Sequence, residues 1–183
     1  MRIERNGAAP RLVVAAAVLL AGLGTSPVIA ADAATVTPTL RNRLECPMTR
    51  AALERAAVGA LRRLRDPECQ QVFADFRDAE GLLLQEKLEA LGQTGASYLA
   101  GRMWFVEGSG ARACQSSRTV AVTTPGSAVV FVCARQLRER GFHDPAFVEA
   151  VLIHEELHSL GLRENPPSNL EITERISRRC GRR

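Results

Sequence analysis

From Val151 to His158 the chain reads Val-Leu-Ile-His-Glu-Glu-Leu-His, a His-Glu-x-x-His pattern set in an apolar run. Residues four apart share one face of a helix, so His154 and His158 can present two imidazoles to a single ion. Glu155 is rotated by about 100° from His154. Its carboxylate stands beside such an ion rather than on it, where it can take a proton from a water. The chain has 3 His in all, and two of them are here. Phe147, Val148, Ala150, Val151, Leu152, Ile153, Leu157 and Leu160 make the segment apolar nearly all round, as a buried helix is. Burying two His and a Glu is costly unless a partner compensates them, and a metal does so. The alternative, two His on an amphipathic surface helix, does not fit these flanks.

The N-terminus constrains the compartment. Arg2, Arg5 and Arg11 precede and open an apolar run from Leu12 to Leu23, followed by small residues. Val28 and Ala30 stand at −3 and −1 of a cut before Ala31, so residues 1–30 read as a secretory signal peptide. The run is too short to serve as a membrane anchor. No Cys follows the cut closely, so no lipoprotein anchor is expected either. The expected destination is secreted or periplasmic. Without the three Arg and one Glu of that segment, 24 basic and 20 acidic residues become 21 and 19, a formal charge of +2. The basic balance of the whole chain therefore gives no reason to expect a nucleic-acid partner. Five Cys remain, at 46, 69, 114, 133 and 180. An oxidising compartment predicts disulfides, and an odd count leaves one thiol over. Cys114 and Cys133 flank a hairpin and form the expected first pair. Cys46–Cys69 would join the first two helices and leave Cys180 over. No C-x-x-C spacing occurs, so a thiolate zinc knuckle is not expected.

Along the chain, residues 31–44 are rich in Ala, Thr and Pro and read as a flexible leader before a single domain over 45–183. Its first part, 45–100, is helical. Apolar residues at Leu53, Ala57, Ala60, Leu61 and Leu64 give a helical period over Thr49–Arg65. Asp66-Pro67 caps a second helix holding Cys69, Val72, Phe73 and Phe76. A third runs from about Glu80 to Leu91 and stops at Gly92. The second part, 101–183, carries the metal motif. Met103–Val106 reads as a short strand. Thr119–Thr123 and Ser127–Cys133 are β-branched runs around Thr124-Pro125-Gly126, a hairpin signal. Asp144-Pro145 opens the motif helix and Gly161 ends it. Ser168 and Glu171 form a capping box for a last helix through Arg179. The expected class is α+β: a helical layer, a small antiparallel sheet, the motif helix and a closing helix.

With these features the chain resembles the zincin superfamily of zinc metallopeptidases. The resemblance covers the C-terminal half, from the strands to Cys180. Strands before the active helix and a short helix after it are similar to the small gluzincins. The resemblance implies Zn2+ as cofactor, His154 and His158 as ligands, Glu155 as general base, and a peptide or protein substrate. Catalytic zinc takes three protein ligands and keeps one open position. No His or Asp follows His158, which leaves Glu164, Glu171 and Glu174 as third ligand. Glu164 completes His154-Glu155-x-x-His158-x-x-Gly161-x-x-Glu164, which looks like the extended metzincin motif with Glu in its last place. The Met turn of that group is missing, since no Met follows Met103. Gluzincins place the third ligand on the following helix, which points to Glu171 or Glu174. Glu171 has a competing role in the capping box, and Glu174 lies near Arg175 and Arg178 as a solvated helix charge would. The alternative function is a non-catalytic, metal-stabilised binding protein of a bacterial-type cell envelope, with a closed four-ligand site. Tyr98 and His143 are the remaining candidates for stabilising an oxyanion. Trp104 and Phe105 read as core, and Val129–Val132 as a strand that an extended peptide could join if it lies at an edge.

Overall fold

The computed structural model describes residues 40–181, and the expected signal peptide and most of the leader lie outside them. The elements in chain order are strand β1 (Arg41–Arg43), helices α1 (Pro47–Leu64) and α2 (Pro67–Gln70), a 3-10 turn at Gln71–Phe73, then α3 (Leu84–Ala90) and α4 (Gly95–Gly101). Strand β2 (Trp104–Glu107), a 3-10 turn at Arg112–Gln115 and strands β3 (Ala121–Thr123) and β4 (Val129–Val132) follow. Helices α5 (Ala134–His143), α6 (Pro145–Ser159) and α7 (Asn169–Cys180) complete the described chain. The class is mixed α+β, with about 56% of the described residues helical and 11% in strands. The described residues fall in one compact unit.

Local chemistry accounts for most boundaries. Asp66 Oδ1 accepts from Glu68 N–H at 2.8 Å to cap α2. Asp144 Oδ1 accepts from Phe147 N–H at 3.1 Å to cap α6, with Pro145 at its first position. The last helix starts at the expected capping box, where Ser168 Oγ accepts from Glu171 N–H and Glu171 Oε2 accepts from Ser168 N–H. The third helix begins later than expected, at Leu84. Asp78 Oδ1 accepts from both Glu80 and Leu82 N–H, and this holds residues 78–82 in a turn instead.

The sheet order is β1-β2-β4-β3. The expected hairpin is present: β3 and β4 are antiparallel, with Gly126 at φ +81° in the turn. The rest of the sheet is not antiparallel. β1 pairs with β2 and β2 with β4 in parallel, so the sheet is mixed. Turn residues report only the pair they join, whereas parallel pairs need crossovers of a dozen or more residues, here through α1–α4 and through β3. β1 also corrects the leader, since residues 41–43 form a strand flanked by buried Leu40 and Leu44. β4 lies between β2 and β3, so Val129–Val132 has no free edge, and the edge strands are β1 and β3.

The core lies between the inner sheet face and the helices. Phe105, Val130 and Val132 point inward with α1, α5 and α6 residues. The outer face keeps Trp104 half-buried, with Arg41 and Arg43 guanidinium carbons 5.4 and 5.5 Å from its ring centre. Trp104 is therefore not core, while Phe105 is. The central helix α6 packs against α1, α5, α7 and β3.

Two disulfides tie the unit. Cys114–Cys133 is the expected pair. Cys69 pairs with Cys180 across 111 residues, not with Cys46, and Cys46 carries the free thiol. Geometry gives the reason. Cys46 caps the start of α1 and Cys69 follows its end, and an 18-residue helix is about 27 Å long.

Candidate metal centre

Ten of the fifteen α6 residues are buried, among them His154, Glu155, Glu156 and His158, each 6% exposed or less. The two ring Nε2 atoms face each other at 2.9 Å. His158 Nδ1 lies 2.8 Å from the Leu162 carbonyl. A carbonyl only accepts, so Nδ1 carries the proton and the Nε2 of a neutral ring offers a bare lone pair. His154 Nδ1 is 3.5 Å from Thr173 Oγ1 on α7, which orients the second ring in the way outer partners orient metal-binding imidazoles. Burial, with His158 beside it, pushes His154 down to about 4 against the opposing pull of Glu164. Both effects favour the uncharged ring that metal binding requires.

The chain returns to this pair through a reversal after α6. Gly161 N–H bonds to the His158 carbonyl and Leu162 N–H to the Leu157 carbonyl, a Schellman pair with Gly161 at φ +109°. A Cβ at Gly161 would stand 3.0 Å from Lys87 Nζ and 3.1 Å from Asp78 Cβ, so glycine also fits the space. Three residues on, Glu164 Oε1 lies 3.4 Å from His158 Nε2 and 3.8 Å from His154 Nε2. Asn169 Nδ2 donates to the same oxygen at 3.1 Å. The ligand atoms of His154, His158 and Glu164 all fall within 4.8 Å of one another. Ligand atoms about 2.0–2.1 Å from one tetrahedral ion are separated by roughly 3.3 Å. The donor set and its spacing fit a small divalent ion.

Glu171 and Glu174 are not brought to this centre. Glu171 spends its carboxylate on Ser168, 2.7 Å to the amide and 2.8 Å to the hydroxyl. Glu174 is exposed and pairs loosely with Arg178 at 3.9 Å. Tyr98 is buried on Ser159, its hydroxyl 3.0 Å from Oγ. His143 is exposed and sits edge-on to Phe142. Neither Tyr98 nor His143 lines the clefts at the metal centre.

Glu155 occupies the position its place in the motif requires. It lines the same cleft as His154, His158 and Glu164, a space of about 390 Å³ under β3 and the hairpin turn. Its Oε2 is buried with no hydrogen bond among the described residues. Burial raises its carboxyl to about 7; the neighbouring Thr123 opposes the rise, and Glu164 adds to it. A carboxyl poised near neutrality can both take and give a proton. The hairpin is fixed to this end of α6, since Gly126 N–H bonds to the His158 carbonyl at 2.8 Å.

Three residues of the centre were not foreseen: Thr173, Asn169 and Arg118, which lines the neighbouring cleft. Asn169 and Thr173 lie four apart on α7, one turn of one face, and that spacing was available in the sequence. Nothing in the sequence marked Arg118. Compared with protein-family models, curated proteins and solved structures, the chain matches none.

Proposed function

We propose that this chain is a secreted, zincin-like zinc metallopeptidase. The observation that carries the reading is the convergence of His154 Nε2, His158 Nε2 and a Glu164 oxygen within 4.8 Å, beside buried Glu155 in an open cleft. Two imidazoles and a carboxylate are a donor set of catalytic zinc sites with one position left open. When bound, the ion would supply Lewis-acid chemistry, polarising a carbonyl and acidifying water. The protein's own residues do the rest. His154, His158 and Glu164 would hold the ion, with Thr173, the Leu162 carbonyl and Asn169 orienting them. Glu155 takes one proton from the attacking water, whose hydroxyl goes to the carbonyl carbon. The same carboxyl then gives that proton to the amine nitrogen as the C–N bond breaks. The balance is one water added across one peptide bond.

The non-catalytic alternative needs a fourth protein ligand to close the site. Glu171 and Glu174, the carboxylates that could provide one, are engaged at the cap and on Arg178. That supports the catalytic reading. Two disulfides suit an oxidising compartment. No described helix is long and apolar enough to cross a membrane. With the signal-like residues 1–30, these features support export.

The test is metal analysis joined to a cleavage assay. The purified mature protein is expected to hold about one zinc per chain and to cut peptides from a mixed library. His154→Ala/His158→Ala is expected to lose both properties. Equal zinc in variant and wild type would sink the site, and a zinc-loaded wild type that cuts nothing would sink the peptidase reading.

A further inference from the structure

A second cleft, also lined by Glu155, adjoins the metal centre. It measures about 220 Å³, room for roughly one side chain, and shares Thr119, Ala121, His154, Glu155 and Asn169 with the first. Its apolar walls are Val120, Phe147 and Val151, and Arg118 also lines it. Arg118 is the one arginine or lysine in the lining. Its guanidinium makes no ion pair or hydrogen bond among the described residues, while its amide bonds to Ser116 Oγ at 3.2 Å.

The segment that presents Arg118 is tied down. Cys114 is bonded to Cys133. Buried Gln136 donates to the Cys114 carbonyl at 2.8 Å and to the Ser116 carbonyl at 3.0 Å. An arginine on an anchored backbone gives up less freedom when it binds a partner. A second cation lies nearby, since the Arg140 guanidinium stands 5.6 Å from the centre of the Phe147 ring that forms one wall. Glu164 lines only the first cleft and the free cation only the second, while Glu155 lines both.

We propose that the Arg118 cleft is a substrate subsite for a carboxylate, so that the enzyme selects peptides presenting one beside the bond to be cut. This rests on the peptidase reading. The walls accept an aliphatic stem, and the guanidinium takes the carboxylate as a fork. The carboxylate is that of a glutamate side chain or of the peptide's own C-terminus.

Equilibrium binding tests the subsite without relying on turnover. Zinc-loaded Glu155→Gln is titrated with fluorescent peptides identical except for Glu or Gln at each position in turn, with amidated and free C-termini. At one position, or at the free terminus, the carboxylate is expected to improve affinity about tenfold. An effect of Glu in amidated peptides assigns the side chain, and an effect of the free acid alone assigns the terminus. Adding Arg118→Gln is expected to remove the preference, and Arg118→Glu to reverse it in favour of the neutral peptides, with unchanged melting because the residue is exposed. Equal binding of charged and neutral peptides overturns the subsite even if the wild type cleaves them. A carboxylate preference that depends on Arg118 upholds the subsite even if the wild type cleaves nothing. Absence of binding by any peptide overturns both readings.

Discussion

The two sides of α6 bury similar chemistry to opposite effect. On one side His154, His158 and Glu155 are withdrawn from water, but each ring has an orienting partner and the three groups share an open cleft with Glu164. On the other side Glu156 is completely buried, and neither of its carboxylate oxygens has a hydrogen bond among the described residues. Its surroundings include the Phe73 ring and Gly95, where an added Cβ would meet Phe73 at 2.4 Å and a Glu156 oxygen at 3.3 Å. Burial alone raises the Glu156 carboxyl well above its ordinary range, with no neighbour shaping it. Adjacent glutamates on one helix thus differ in context, not in depth. Buried polarity points to chemistry only where several groups converge on one accessible point.

Exchanging the two carboxyls one at a time sharpens that contrast most. Glu155→Gln keeps size and shape but removes the proton acceptor. It is expected to retain zinc and to lose about 10²–10⁴-fold in peptide cleavage, the usual contribution of a positioned acid–base group. Glu156→Gln is expected to keep cleavage within a few-fold. Parallel rate and zinc measurements decide, and equal losses in the two variants would erase the distinction between the faces.

The metal side is closed by α7, and α7 is held at its far end by Cys69–Cys180. Arg63 adds to this hold, donating to the Cys180 carbonyl at 2.6 Å while pairing with buried Glu149 of α6. Closing a loop of 111 residues is worth about 4–5 kcal/mol in the chain-entropy account. Cys69→Ser/Cys180→Ser is expected to lose about that much stability in urea denaturation. Zinc affinity should weaken too, because Thr173 and Asn169 ride on the released helix. Stability lost with zinc affinity unchanged would mean that α7 does not support the centre.

On the opposite side, Glu156→Met replaces an orphaned carboxyl with an apolar side chain of similar size. Removing an unsatisfied buried polar group is expected to gain about 1–3 kcal/mol at neutral pH. Denaturant melts check this, and a loss of stability would show that Glu156 has a partner in the folded protein.

Much of this centre could be read in the sequence because its signals are local. The Asp144-Pro145 start, the Gly161 stop and the Ser168/Glu171 box each depend on residues within one turn, and each is where it was expected. The third ligand narrowed only to three glutamates, since chain spacing does not give the path of residues 161–168. Glu164 reaches the His pair because the chain reverses at Gly161 and Asn169 holds the carboxylate. The hairpin was legible, but the two parallel pairings depend on residues far apart in sequence. Helix α5 escaped notice because it buries only Ala134, Gln136 and Leu137, too few for an apolar stripe. Helix α4 had a readable cap in Thr94 with Ser97, but its 7 residues gave no period to extend it.

The smallest expected effect concerns the weaker clamp on α7. Asp75, just after the 3-10 turn, receives two hydrogen bonds from the Arg179 guanidinium at 2.8 and 2.9 Å and pairs with Arg175 at 3.2 Å. The Arg179 bonds come first in lowering its carboxyl below the ordinary range; burial opposes them, and Arg175 adds to the lowering. The unfolded chain then takes up a proton at higher pH than the folded one. The stabilisation is present above the unfolded carboxyl value of about 3.9 and is lost as pH falls through the lower folded value. Because the arginines are partly exposed, it should not exceed about 1 kcal/mol. Melting of wild type and Asp75→Asn is expected to differ by a small, constant amount at neutral pH, and the gap should close below about pH 4. A gap that persists into acid would assign the effect of Asp75 to packing rather than charge. A gap that is absent throughout would leave the disulfide as the main hold on the helix that closes the metal side.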